Sequence, residues 1–112
     1  MENSILISTK KVLGIDASYT VFDLDIITHI NAAFSILSQL GVGPAEGFMI
    51  EDDTTTWDEF MSTGNSLNLV RTYILLKVRI LFDPPTTSFL ISAMNDQIKE
   101  YEWRLNALRE AS

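Results

Sequence analysis

The chain has 112 residues, of which 46% are hydrophobic, and a formal net charge of −7 at pH 7. A chain of this length supports one hydrophobic core, so we expect residues 1–112 to form a single domain. Cysteine is absent from the sequence, which excludes disulfides, thiolate metal sites and thiol catalysis. The N-terminus reads as the reverse of a signal peptide and no run of roughly 20 apolar residues follows, so we expect a soluble protein.

The charges are distributed unevenly along the chain. Nine carboxylates and no Lys or Arg lie between Val12 and Val70, whereas acids and bases are mixed from Arg71 onward. Two interpretations stay open: the acidic surface is merely solvated, or unlike faces of neighbouring copies meet head to tail around a ring. An acidic chain without a basic stripe is a poor free DNA binder, because phosphate affinity comes from Lys and Arg.

Two helices are predicted in the first 40 residues. The first spans residues 3–13 and ends at Gly14. Its apolar positions are Ile5, Leu6, Val12 and Leu13. The second spans residues 23–40, with Asp23 as N-cap and Asp25 in the first turn. Its apolar face consists of Ile26, Ile27, Ile30, Ala33, Phe34, Leu37 and Leu40. We assign no function to His29, since the sequence holds no second histidine to complete a common metal set.

Residues 41–56 form an acidic, glycine-containing loop. It lacks the Gly-Lys-Ser/Thr end of a phosphate loop and the ligand spacing of an EF-hand, so we predict no cofactor and no metal site there. Thr56 and Glu59 then form a capping box that begins a short helix to about Ser62. We expect Trp57 and Phe60 to anchor this helix on the core.

A central, largely buried helix is predicted over residues 67–82 and must end before Pro84 and Pro85. Lys77 lies among apolar neighbours on this helix. Three interpretations of Lys77 stay open: an ammonium that snorkels to water, a buried ion pair, or a catalytic lysine with a depressed pKa. Arg79 precedes Asp83 by four residues, which predicts a local ion pair between them.

A long last helix is predicted over residues 88–109. Its packing seam consists of Ile91, Met94, Ile98, Tyr101, Leu105 and Leu108. On the other face, Glu100 and Arg104 have ion-pair spacing. Trp103 points away from the seam, and either it contacts a partner or it packs within its own chain. The predicted fold is all-α, with about four to five helices and a Pro-Pro turn between the long central and C-terminal helices.

The stretch YTVFDLDIIT resembles the D-x-D opening of the haloacid dehalogenase phosphatases, with Asp23 as nucleophile and Asp25 as acid/base. That chemistry needs a parallel α/β sheet that holds both aspartates at strand ends with a magnesium ion. A helical face follows at once here, and the chain contains no series of βα units. We therefore predict no enzymatic activity and assign no catalytic residues.

Four features in order carry a more specific resemblance: the ILISTKKVLGI start, the YTVFDLDIITHINAAFSILSQLGVGP block, the tryptophan-capped short helix, and LKVRILFDPPTTSF followed by IKEYEWRL. The combination resembles the small head-tail connector, or adaptor, proteins of long-tailed bacteriophages and prophages. The resemblance covers nearly the whole chain and is most specific in KVRILFDPP and EWRL.

This resemblance implies a non-catalytic, all-helical structural protein of the virion. Such connectors assemble as a homo-oligomeric ring under the portal protein after DNA packaging, extend the DNA channel and receive the next connector or the tail. It implies a location at the head-tail junction, and in the host bacterial cytoplasm during assembly, with no membrane partner and no sequence-specific DNA binding. The alternative is a small phage or prophage helical binding protein, a regulator or assembly chaperone, that acts free of the virion.

The family supplies no catalytic residues to carry over. From their positions in the matching motifs and on the helical wheel, five residues are candidates for holding the fold or its contacts. They are Lys77, Arg79, Asp83, Trp103 and Arg104.

Overall fold

The structure contains five helices within the residues it describes: α1 (Ile5–Leu13), α2 (Asp23–Gln39), α3 (Trp57–Phe60), α4 (Asn65–Phe82) and α5 (Ser88–Ala111). The computed structural model describes the backbone of residues 4–44, 46–61 and 65–111, and the side chains of these residues except 65–66 and 108–111. Within these ranges no strand is present beyond an isolated antiparallel bridge between Ser4 and Thr56. The predicted all-α class is confirmed.

Helix α4 is central because it packs against α1, α2 and α5. Its buried side chains are Leu67, Val70, Tyr73, Ile74 and Val78. The predicted apolar face of α2 covers them, with Ile27 and Leu40 half-buried at its margins and the other five members buried. All five helices contribute side chains to this one cluster, and burial of each large apolar side chain contributes about 1.5–3 kcal/mol.

The turn between α4 and α5 follows from the two prolines. Helix α4 ends at Phe82, as predicted, and the backbone N–H of Asp83 still donates to the carbonyl of Arg79 at 2.9 Å. The predicted ion pair between Arg79 and Asp83 is wrong. Arg79 does contact Asp83, but its Nε donates to the backbone carbonyl oxygen at 2.9 Å and not to the side-chain carboxylate. The last carbonyls of a helix lack partners within it, and the guanidinium satisfies one of them.

Of the two predicted helix starts, that of α2 differs in the structure. Ser4 caps α1 by accepting a bond from the N–H of Ile7 at 3.2 Å, and the predicted start at residue 3 lies outside the described residues. Val12, one of the apolar positions of α1, is half exposed. Asp23 is the first residue of α2 and not its N-cap, because its carboxylate is engaged by a lysine from α1.

The capping box of α3 is confirmed, with the Glu59 carboxylate accepting a bond from the Thr56 N–H at 2.9 Å. The helix ends at Phe60, and the predicted end at residue 62 lies outside the described residues. Trp57 is fully buried, donates from its indole to Ser8 Oγ at 3.3 Å and lies under the guanidinium of Arg71. The expected anchoring of α3 is therefore confirmed.

Helix α5 packs chiefly against α4 through the predicted seam. Ile98 and Leu105 are buried, and three further seam residues are half-buried: Ile91, Met94 and Tyr101. The side chain of Leu108 lies outside the described residues. Helix α4 covers one side of α5, and most residues on the other sides of α5 are exposed to solvent.

Candidate interaction surfaces

The buried lysine of this protein is Lys10, not Lys77. Lys10 is 1% exposed, and its ammonium donates to the carbonyl oxygens of Ala17 at 3.0 Å and Tyr19 at 2.7 Å. Its third neighbour is the carboxylate of Asp23, at 2.8 Å. An ammonium has three donors and no acceptor, so these three oxygens match its full capacity. One buried charge thereby joins α1, the α1–α2 loop (residues 15–22) and the first turn of α2.

The loop that Lys10 holds is exposed over residues 16–22. Its first turn is closed by Asp16, whose carboxylate accepts bonds from the N–H and hydroxyl of Ser18 at 2.9 and 2.8 Å. These two bonds hold the pKa of Asp16 below its ordinary value. The loop is thus fixed by polar contacts while burying little apolar surface of its own.

This fixed loop and the first turn of α2 display large apolar side chains to solvent. We call Tyr19, Val21, Phe22 and Leu24 the loop patch. Leu24 is 76% exposed and Val21 is 69% exposed. Single exposed apolar residues are ordinary, but four within six positions form a patch of the kind found at interaction sites. The charged residues between 15 and 25 are three aspartates: Asp23 is paired with Lys10, whereas Asp16 and Asp25 are exposed.

The loop patch continues onto the C-terminal end of α4. The ring of Phe22 packs edge-on against Phe82 at 5.5 Å between centroids, and Phe82 also meets the ring of His29 at 6.4 Å. His29 is therefore half-buried beside the ring of Phe82. Leu81 next to Phe82 is 47% exposed and extends the apolar surface at this end.

Three of the five candidate residues lie at or near the same end. Lys77 is half-buried and makes no ion pair with any residue the structure describes, an arrangement that suits the snorkelling interpretation. Arg79 closes the end of α4, and Asp83 is exposed beyond it. Nothing in these contacts places the three side chains in one cluster.

The other two candidates lie on the solvent side of α5. Trp103 is 69% exposed, so the alternative in which it packs within its own chain does not hold. Arg104 pairs with Glu100 at 2.8 Å, but both side chains are more than half exposed, so the pair contributes at most a few tenths of a kcal/mol. Lys99, one turn before Trp103, is exposed and has no ion pair among the described residues.

The acidic loop is tied to α2 by a residue that the sequence pattern did not single out. The Asn31 side chain donates to the carbonyl of Ile50 at 3.0 Å and accepts from its N–H at 2.8 Å, as a neighbouring strand would. Beyond this clamp, Glu51, Asp52 and Asp53 are exposed. Bonds from Thr54 hold the pKa of Asp52 below its ordinary value. Among the described residues, no three His, Cys, Asp or Glu side chains converge on a potential metal site.

A partly buried hydrogen bond joins helix α4 to helix α5. The hydroxyl of Tyr73 donates to the Glu102 carboxylate at 2.7 Å. Burial, together with this bond to a carboxylate, raises the pKa of Tyr73 far above its ordinary value. Glu102 directly precedes Trp103, so the contact fixes the helix where the exposed tryptophan projects.

Two of these features had signals in the sequence. Lys10 follows Leu6 by four residues and therefore shares the apolar face of α1, which spacing alone could have shown. Tyr73 lies on the buried face of α4, where a hydroxyl needs a partner. The Asn31 clamp had no signal, because its partner is a backbone nineteen residues away.

The comparison with protein families decides which class of protein carries these surfaces. A family model described as phage connector protein matches residues 5–112. The chain belongs to this family of phage connector proteins. Connectors of this family are structural rather than catalytic, so the chain has a structural role in a phage particle, at the junction of head and tail. No curated protein and no solved structure gave a significant match.

Family membership fits the surfaces of this connector, because a junction protein must contact other phage components, including portal or tail components. None of its described helices is both long and apolar enough to cross a lipid bilayer. Its exposed apolar residues lie instead at the loop patch, at the start of α5 and at Trp103, among other sites. These are the places where contacts with other proteins are to be sought.

Proposed function

We propose that this connector forms a ring under the portal protein of a tailed phage or prophage, extends the DNA channel and joins the head to the tail without catalysing a reaction. The match of residues 5–112 to the connector family carries the proposal. Its partners are further copies of itself, the portal protein and the next connector or tail-completion protein. It acts at the head-tail junction and is made in the host bacterial cytoplasm.

Two physical features support this role. The described surface carries large apolar side chains at more than one place, which suits a protein with several neighbours. The net charge of −7 suits a channel through which DNA must pass without adhering, since like charges repel. We propose that Lys77, Arg79, Asp83, Trp103 and Arg104 hold the fold or its contacts, with Arg79 closing α4 and Trp103 meeting a partner.

The decisive experiment is sedimentation of the purified connector mixed with the portal protein of the same phage. We expect a ring-sized complex that contains both proteins. Trp103→Ala should reduce the co-sedimenting fraction, while Gln97→Ala, an exposed substitution on another side of α5, should leave it unchanged. Templated assembly is compatible with a connector that is monomeric when free.

Absence of any complex at every salt concentration would count against the ring and favour the alternative, a helical binding protein that acts free of the virion. Such a protein would bind a single partner in fixed stoichiometry. A pull-down from infected or induced cells, with the wild-type chain as bait, then identifies that partner.

A further inference from the structure

We propose that neighbouring copies meet through two unlike surfaces: the loop patch of one copy covers Trp103 and Lys99 of the next. We call Trp103 together with Lys99 the Trp103 patch. This inference rests on the proposed ring and specifies which surfaces build it. In this arrangement both patches bind other copies of this chain, and neither binds the portal protein.

The first argument is the energetic arrangement of the loop patch. A buried ammonium is an expensive way to hold a loop, because well-packed apolar residues stabilise a fold at least as well. Here Lys10 fixes a loop that exposes all of residues 16–22 and presents Val21 and Phe22 to solvent, next to Leu24 in the first turn of α2. A loop ordered in advance loses little conformational freedom when it binds, which strengthens binding.

The second argument concerns Trp103. Tryptophan is enriched at the centres of protein interfaces, and this one is 69% exposed on the helix face opposite the packing seam. The bond from Tyr73 to Glu102 fixes the helix at this point. Glu100 and Arg104 neutralise each other, so the exposed cation beside the indole is Lys99.

The third argument is charge. Asp16 and Asp25 lie on either side of the loop patch in sequence, and both are exposed. No Lys or Arg lies between Val12 and Val70. If two loop patches met each other, these carboxylates would face like charges, which disfavours a symmetric dimer. The Trp103 patch offers an indole for the apolar side chains and Lys99 for the carboxylates. Complementary charge of this kind selects the partner surface and its orientation.

The fourth argument is closure. Each copy carries one loop patch and one Trp103 patch. When copies join through unlike patches in an open row, the copy at one end keeps an uncovered loop patch and the copy at the other end keeps an uncovered Trp103 patch. Contacts of this head-to-tail type give a ring where the rotation between copies closes, as the proposed function requires, and an open filament where it does not. A ring covers every loop patch and every tryptophan, which a dimer built on the same contact does not.

The test uses two variants that each block one patch, Leu24→Asp and Trp103→Asp. Both positions are exposed, so both variants should keep the circular dichroism spectrum and thermal midpoint of the wild type. Each variant alone should lose self-association by about tenfold or more, measured by sedimentation velocity across a concentration series. Their mixture should form a one-to-one dimer and nothing larger, because one intact contact remains between the two chains.

Two further arms make the result specific. Asp25→Lys and Lys99→Asp should each weaken association, and a chain that carries both should regain it, whereas Ser35→Asp at an exposed site on α2 should have no effect. Failure of the mixture to form a dimer, with no rescue by the double charge exchange, overturns the inference. Equal association of both blocked variants and the wild type also overturns it, and where the free wild type is monomeric this comparison is made on rings assembled with the portal protein.

The same samples, sedimented with portal protein, separate this inference from the proposed function. If both blocked variants still form the complete portal complex, the ring stands and the assignment of its surfaces is wrong. If the mixed dimer forms but no protein binds the portal, the contact stands and the proposed function is wrong. If Leu24→Asp abolishes portal binding and leaves self-association intact, the loop patch faces the portal, and the inference is again overturned.

Discussion

At the scale of single residues, one ammonium group organises the exposed end of the molecule. Lys10 links two carbonyl groups of the α1–α2 loop to the carboxylate that opens α2. Lys77, on a helix with more apolar neighbours, is only half-buried. Lys10 is buried because the chain turns after Gly14 and brings three oxygen atoms to its ammonium group. These oxygens belong to residues 7 to 13 positions further along the chain, so the residues next to Lys10 in sequence do not reveal them.

Replacing Lys10 with Met should destabilise the fold by about 3 kcal/mol, because the partly buried carboxylate of Asp23 and two carbonyls lose their donor. The free energy of unfolding in urea measures the loss. Adding Asp23→Leu should recover much of it, since no uncompensated charge then remains. The exposed Lys99→Met serves as control, with a change within about 0.5 kcal/mol. Equal losses for Lys10 and Lys99 would contradict the role assigned to Lys10.

Gly43 and Gly14 form a matched pair that separates backbone strain from crowding. Both have left-handed backbones, with φ of 92° and 79°. A Cβ at Gly43 would lie 2.6 Å from the ring of Phe60, whereas nothing lies within 4 Å of one at Gly14. Gly14→Ala should therefore lose about 1–2 kcal/mol of unfolding free energy, the left-handed penalty alone. Gly43→Ala should lose clearly more, and equal losses would show that Phe60 moves aside freely.

At the scale of elements, sequence reasoning succeeded where the cause is local. The two prolines ended α4, Thr56 and Glu59 began α3, and the spacing of α2 gave its buried face. It failed where a distant group decides, as at Asp23, where a lysine from α1 displaces the predicted capping role. The candidate surfaces were predicted least well, because exposure of the loop patch depends on how α1, α2 and α4 meet.

The contact between α4 and α5 predicts an alkaline loss of stability. Burial and Glu102 raise the pKa of Tyr73 in the folded state above the value of 10.0 expected when unfolded. Its stabilising effect is therefore complete below pH 10 and declines as pH rises beyond that value, because the unfolded chain alone releases the proton. Between pH 9 and pH 11 the stability of the wild type should fall by about 1.4 kcal/mol relative to Tyr73→Phe.

Urea unfolding of both proteins at each pH gives this difference directly, since all other titrating groups are shared. At neutral pH, Tyr73→Phe should itself cost about 2 kcal/mol for the lost bond to a charged acceptor. In Glu102→Gln the alkaline decline should persist, because Tyr73 remains buried. A difference between wild type and Tyr73→Phe that does not change with pH would show that Tyr73 ionises within the folded protein.

At the scale of the whole molecule, the five helices share one core, which supports our proposal that residues 1–112 form one domain. Its charge is a property of the surface as a whole. Nine acids and no base lie between Val12 and Val70, and the exposed Glu51 and Asp53 project from the acidic loop. Such a surface repels a phosphate backbone at a distance set by ionic strength.

We therefore expect the free connector not to bind duplex DNA, even at about 50 mM salt, where electrostatic binding is strong. Fluorescence anisotropy of a labelled duplex measures this. Glu51→Lys with Asp53→Lys should create weak binding that salt removes, whereas Glu51→Gln with Asp53→Asn should not, because affinity needs added cations and not merely fewer acids. Salt-sensitive binding of DNA by the wild type would show that the folded connector has a basic surface. It would contradict the proposal that DNA passes through the channel without adhering.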